Sequence, residues 1–120
     1  MRVIQALEPG FPAFYRVVWN THVPEFSSLS LDERNICTNA VVAVKQVLRD
    51  QLQPTKINLA ALGNAVPHLH WNVLARFDWD SHFPGAVWGV PQREPVLQKL
   101  TQLALQCEQV NRLLAEKLAS

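Results

Sequence analysis

At 120 residues and 13.6 kDa the chain is long enough to bury one hydrophobic core and too short for two. Hydrophobic residues make up 48% and charged residues 18%, which excludes a disordered or fibrous chain. The formal net charge of +1 excludes the broad basic field that nucleic-acid polymers or anionic membranes attract, so any phosphate must be held by a few placed donors.

Two short apolar runs open the chain, Val3 to Leu7 and Phe14 to Trp19, separated by Glu8-Pro9-Gly10-Phe11-Pro12. Aromatic and β-branched content on either side of a Pro-Gly turn predicts two strands. Ser30-Leu31-Asp32-Glu33 is a capping-box pattern, and Ile36, Ala40, Val41, Val44, Val47 and Leu48 follow at helical spacing. That spacing predicts a helix to about Leu52, ended by Pro54. Lys56 to Leu62 and Leu69 to Arg76 read as strands joined by the loop Gly63-Asn64-Ala65-Val66-Pro67. A second amphipathic helix is predicted over about 95–118, with Leu97, Leu100, Leu103, Ala104, Cys107, Val110, Leu114 and Leu118 on its buried side. Strands then helix, twice over and without βαβ alternation, predict a single α+β domain over 1–120 with an antiparallel sheet.

Asn58, Asn64 and His68 interrupt the most hydrophobic region, so no stretch reaches the length of a membrane span. No signal-like apolar core follows Met1-Arg2-Val3-Ile4-Gln5, and the expected location is the cytoplasm. Cys37 and Cys107 fall on apolar helix positions and are expected to be buried packing residues, since two cysteines make no disulfide framework.

The chemistry-bearing segment is Pro67-His68-Leu69-His70-Trp71-Asn72-Val73-Leu74-Ala75-Arg76. On a strand over about 68–76, His68, His70 and Asn72 point one way, and Leu69, Trp71, Val73 and Ala75 point into a core. Three polar side chains in register stabilise a sheet poorly but present imidazoles well. Two uses are open on spacing alone. A catalytic site would use the imidazoles for nucleophilic or proton-transfer chemistry. A metal site would need a third ligand, which His22 or His82 could supply in space.

The string His68-Leu69-His70-Trp71-Asn72-Val73-Leu74 resembles the signature of the histidine-triad (HIT) family, in which histidine alternates with apolar residues three times. Ile57-Asn58-Leu59 with Gly63-Asn64-Ala65-Val66 resembles that family's strand asparagine and phosphate loop. Val17-Val18-Trp19-Asn20-Thr21-His22 resembles its earlier strand ending in histidine. Asp80-Ser81-His82-Phe83-Pro84-Gly85 with Trp88 resembles its aromatic-proline turn. The likeness spans about residues 1–90 and is nearest the compact bacterial branch, the diadenosine polyphosphate hydrolase-like proteins.

The resemblance implies a HIT-like fold with an antiparallel sheet of about five strands and two main helices. It also implies a homodimer that acts at the α-phosphate of purine nucleotides, as hydrolase or nucleotidyl transferase. His70 matches the nucleophile that becomes nucleotidylated, and His68 matches the first triad member, which orders it. Asn64 and neighbouring amides would bind phosphate oxygens, with Asn58 and His22 in support. The third histidine is replaced by Asn72, which can donate a hydrogen bond but cannot shuttle a proton; the uridylyltransferase branch also carries an amide there. No cofactor is implied beyond a divalent metal accompanying the nucleotide. Relatives commonly begin with a further N-terminal segment, so the first strand here is expected to lie short of a pairing partner. The alternatives are a nucleotide sensor that has lost turnover and a metal-binding domain using the histidine pair.

Overall fold

The computed structural model describes residues 1–119. Its elements are β1 (Arg2–Gln5), β2 (Phe14–Val18), α1 (Leu31–Leu52), β3 (Lys56–Ala60), β4 (His70–Arg76) and α2 (Leu97–Ala119), with a 3-10 turn at Phe26–Ser28 before α1. The strands form one antiparallel sheet in the order β1-β2-β4-β3, so β1 and β3 are its edges. The architecture is the expected α+β, but the sheet holds four strands rather than about five. The remaining stretch between β4 and α2 carries Pro84, Pro91 and Pro95 with Gly85 and Gly89. Proline cannot donate to a ladder, and this stretch folds into turns over the sheet instead.

α1 begins where its cap residues require. Ser30 Oγ accepts from the Glu33 amide at 3.2 Å, and the Glu33 carboxylate accepts from the Ser30 amide at 2.8 Å. It ends at Gln53, which takes the left-handed conformation (φ 48°) before Pro54.

Pleating divides the sheet into two faces with different work. Tyr15, Val17, Ile57, Val73 and Ala75 meet Val41, Val44, Leu48, Leu103, Cys107 and Val110 from the two helices in the main core. Both cysteines are buried and free, as expected. The helices bury the expected faces except near their ends. Cys37 rather than Ile36 faces inward on α1, and Ile36 is exposed. On α2 the buried stripe is Leu103, Cys107, Val110 and Leu114, while Leu97, in the first turn, and Leu118, in the last, are exposed. The opposite face of the sheet is covered only at one end, where Phe14, Leu74, Ala6 and Phe11 pack with Val87. The other end is open.

Candidate functional site

The open end of that face is a groove of about 480 Å³, a size suited to a small ligand. Its floor is β-sheet, carrying Arg2 and Ile4 from β1, Arg16 and Val18 from β2, and His70 and Asn72 from β4. The loop Leu62–Val66 forms one side, His68 closes one end, and Trp88 stands on the covered side.

β4 lies between two neighbours, so its backbone is fixed from both sides. Val18 pairs with His70, Arg16 with Asn72, and Ala60 with Asn72. His70 Nδ1 lies 2.7 Å from the His68 carbonyl oxygen. A carbonyl only accepts, so Nδ1 carries the proton and Nε2 keeps its lone pair. This is the tautomer that a nitrogen nucleophile needs.

His68 lies two residues before β4, and both its ring nitrogens are engaged. Nε2 donates to the Trp19 carbonyl, and Nδ1 lies 3.2 Å from Nδ1 of the exposed His22. Since Nε2 must donate, a neutral His68 accepts from His22, giving a relay from His22 through His68 to the Trp19 carbonyl. Backbone bonds lock the same junction: the Leu69 amide donates to the Val23 carbonyl at 2.8 Å, and the Trp19 amide donates to the Leu69 carbonyl at 3.1 Å. His68 is thereby a fixed wall beside His70, and His22 reaches the site only through it.

Asn72 is 3% exposed. Its Nδ2 donates to the Ala60 carbonyl at 3.1 Å, and its Oδ1 accepts from Arg16 Nε at 3.2 Å. Arg16 in turn lies over the Phe14 ring, 5.2 Å from its centroid. Asn64 is exposed on the groove wall. Among the described residues, the backbone amides of Gly63, Asn64, Ala65 and Val66 donate to no protein acceptor. Gly63 holds a φ of 85°, which favours glycine at this turn.

Asn58 is placed outside the groove lining. Its Oδ1 accepts from Nη1 of the buried Arg76 at 2.9 Å. The Arg76 guanidinium also pairs with the Asp80 carboxylate at 2.9 and 3.0 Å and donates to the Gly85 carbonyl at 2.8 Å. Asp80 further accepts from the amides of Phe77, His82 and Phe83, and Arg93 donates to the carbonyls of Asp80 and Phe83 at 2.6 Å. Burial alone would push the Asp80 carboxyl up. The Arg76 hydrogen bonds and the Phe77 and His82 amides outweigh it and hold the carboxyl below its ordinary value. This cluster straps residues 77–93 to the sheet and so sets Trp88 against the groove, its ring edge-on to Phe14 at 6.3 Å.

The structure brings His70, His68, Asn72 and Asn64 to one groove. His82 stays apart, bonded to the Ser81 hydroxyl at 2.8 Å and edge-on to Phe11. Among the described residues no three metal-ligating side chains converge. Arg2, Ile4, Arg16 and Val18 were not foreseen as lining. The alternation of Arg16 with the buried Tyr15 and Val17 was the available signal, since it marks Arg16 as facing away from the helices.

A family model described as the HIT domain matches residues 1–79. A solved histidine triad protein from Bradyrhizobium japonicum is 25% identical over 92% of this chain and 81% of its own, with a TM-score of 0.73. One from Sinorhizobium meliloti is 29% identical, covering 82% of this chain and 74% of its own, with a TM-score of 0.64. One from Marinobacter aquaeolei shares the fold at 24% identity, 88% and 78% coverage and a TM-score of 0.67. A search of curated proteins gave no match.

Proposed function

This chain belongs to the HIT domain family, and on that premise we propose that it is a nucleotide hydrolase or nucleotidyl transferase working through a covalent nucleotidyl-histidine on His70. The observation that carries the proposal is the 2.7 Å contact between His70 Nδ1 and the His68 carbonyl oxygen, which in a neutral imidazole leaves Nε2 free to attack. The α-phosphate of a purine nucleotide would lie over His70. The unpaired amides of Gly63 to Val66 and the Asn64 side chain would donate to its non-bridging oxygens. The apolar part of the lining, Ile4, Val18 and Trp88 among it, suits a nucleoside. The mechanism asks for no cofactor, and a divalent metal would arrive only with the nucleotide.

Incubation with a nucleotide substrate and intact-mass spectrometry tests the reading. A nucleotidyl adduct should form on the native protein and be absent from His70→Ala; an adduct that persists in His70→Ala would assign the chemistry elsewhere. The second reading, a nucleotide sensor without turnover, is favoured by Asn72, which has no proton to give a departing group. It would show as stabilisation by AMP or GMP in a thermal-shift screen with no product in a turnover assay. Stabilisation by zinc or nickel alone would point instead to a metal-binding domain.

We also propose a homodimer. β3 is an edge strand with free backbone groups along one side, and Leu59, Leu62 and Val66 are exposed on and beside it.

A further inference from the structure

We infer that Arg16, positioned by Asn72, stabilises the leaving-group charge at this site, so that the groove takes nucleotides whose leaving group departs as an anion, phosphoanhydrides above all. The inference rests on His70 as nucleophile and adds the group that acts opposite it.

Asn72 stands where the family resemblance expects a histidine, yet its carbonyl oxygen is already given to Arg16 and its amide nitrogen to the Ala60 carbonyl. With 3% exposure it has little surface to offer a ligand. What it offers is orientation: it grips Arg16 by Nε and leaves both Nη atoms without a protein acceptor among the described residues. Arg16 has no carboxylate partner there either, although it is only half exposed and lines the groove. A partly desolvated guanidinium with its fork unoccupied is the form in which proteins hold phosphate. Because Arg16 pairs with Asn72 and Val18 with His70, Arg16 is the diagonal neighbour of His70. Diagonal neighbours across a ladder lie about 7–8 Å apart, their Cβ atoms somewhat closer, a gap that a bound phosphate chain can bridge.

The chemistry follows from the charge. His70 Nε2 forms the N–P bond, the bond from the α-phosphorus to the bridging oxygen breaks, and its electron pair stays on that oxygen. With a phosphoanhydride the departing phosphate bears this charge without a proton, and Arg16 neutralises it. Water then attacks the same phosphorus, the P–N bond breaks with its pair returning to Nε2, and the proton of water passes to solvent. An amine leaving group would need a proton that neither an arginine nor an amide supplies.

Binding and turnover separate this inference from the reading beneath it. In the His70→Ala background, where attack is removed, ADP should bind at least about tenfold more tightly than AMP by calorimetry, and Arg16→Ala should erase that preference. Asn72→Asp, of the same shape, should pair the guanidinium and weaken ADP more than AMP. In protein retaining His70, Arg16→Ala should lower kcat/KM for diadenosine tetraphosphate roughly 10²–10³-fold, and guanidinium added to the buffer should restore part of it. That rescue would not occur if Arg16 were merely structural. An undiminished ADP preference in the Arg16→Ala, His70→Ala protein overturns the role of Arg16 whatever the turnover. Turnover surviving in His70→Ala overturns the nucleophile instead.

Discussion

Asn72 and Asp80 show how a polar residue inside this fold is committed to a partner before it can meet a ligand. Asp80 neutralises Arg76, which is 1% exposed, so its removal leaves a buried cation uncompensated. Asp80→Asn should lower the unfolding free energy by about 3–5 kcal/mol at neutral pH, measured by urea unfolding. Because the folded carboxyl titrates below its ordinary value, this stability is present above the usual carboxylate range and lost as pH falls through the lower folded value. The difference between native protein and variant should therefore shrink in acid. A difference that stays constant to the most acid point measured would show that the charge of Asp80 is not what matters. Asn72→His tests the other commitment, since it restores a proton donor. It should raise the rate for amine and alkoxide leaving groups by roughly 10²–10⁴-fold and, because it removes the carbonyl that grips Arg16, lower the rate for phosphoanhydrides. Equal rates across matched good and poor leaving groups would remove the proton-donor argument.

At the scale of elements, β4 was legible because its alternation is local: His70 and Asn72 fall on one face and Trp71, Val73 and Ala75 on the other by spacing alone. The partnership of Arg16 with Asn72 was not legible, because it depends on the β2–β4 register, which no local pattern states. The pairing of Arg76 with Asp80 was not read from the sequence either. They stand four apart, yet a turn rather than a helix joins them. Helix periodicity gave α1 and α2 and most of their buried faces but left the rotation at the start of α1 open by one position, since Ile36 and Cys37 are both apolar. A paired substitution checks that rotation. Leu48→Ala, at a side chain with no exposure, should cost about 2–5 kcal/mol, while Ile36→Ala should stay within about 0.5 kcal/mol. Comparable losses at both positions would place Ile36 in the core. Trp71→Phe should be milder than its size suggests, because among the described residues the buried indole N–H has no hydrogen-bond partner to lose.

For the molecule as a whole, the sheet ends abruptly at β3, and the expected fifth strand is absent from the described residues. Pairing of two β3 edges would extend the sheet and cover Leu59, which is 41% exposed. Light scattering at micromolar concentration should return twice 13.6 kDa, and Leu59→Lys should return a single chain. Native protein that scatters as a single chain would remove the dimer. Among the described residues no helix is long and apolar enough to cross a membrane, in keeping with the uninterrupted polar punctuation of the sequence.

The two sides of the groove differ in stiffness. Residues 77–93 are riveted to the sheet through Arg76, Asp80 and Arg93, so Trp88 stands on a wall that moves only if a buried ion pair breaks. The facing loop, Gly63 to Val66, has amides that donate to no other part of the chain among the described residues. Hydrogen exchange should find the His82 and Phe83 amides slow and the loop amides fast, with AMP slowing the loop alone. On the proposed function, ligand recognition would have an anvil and a cushion: the rigid wall would set which shapes are admitted, and the compliant one would spend ordering entropy on whatever phosphate had arrived.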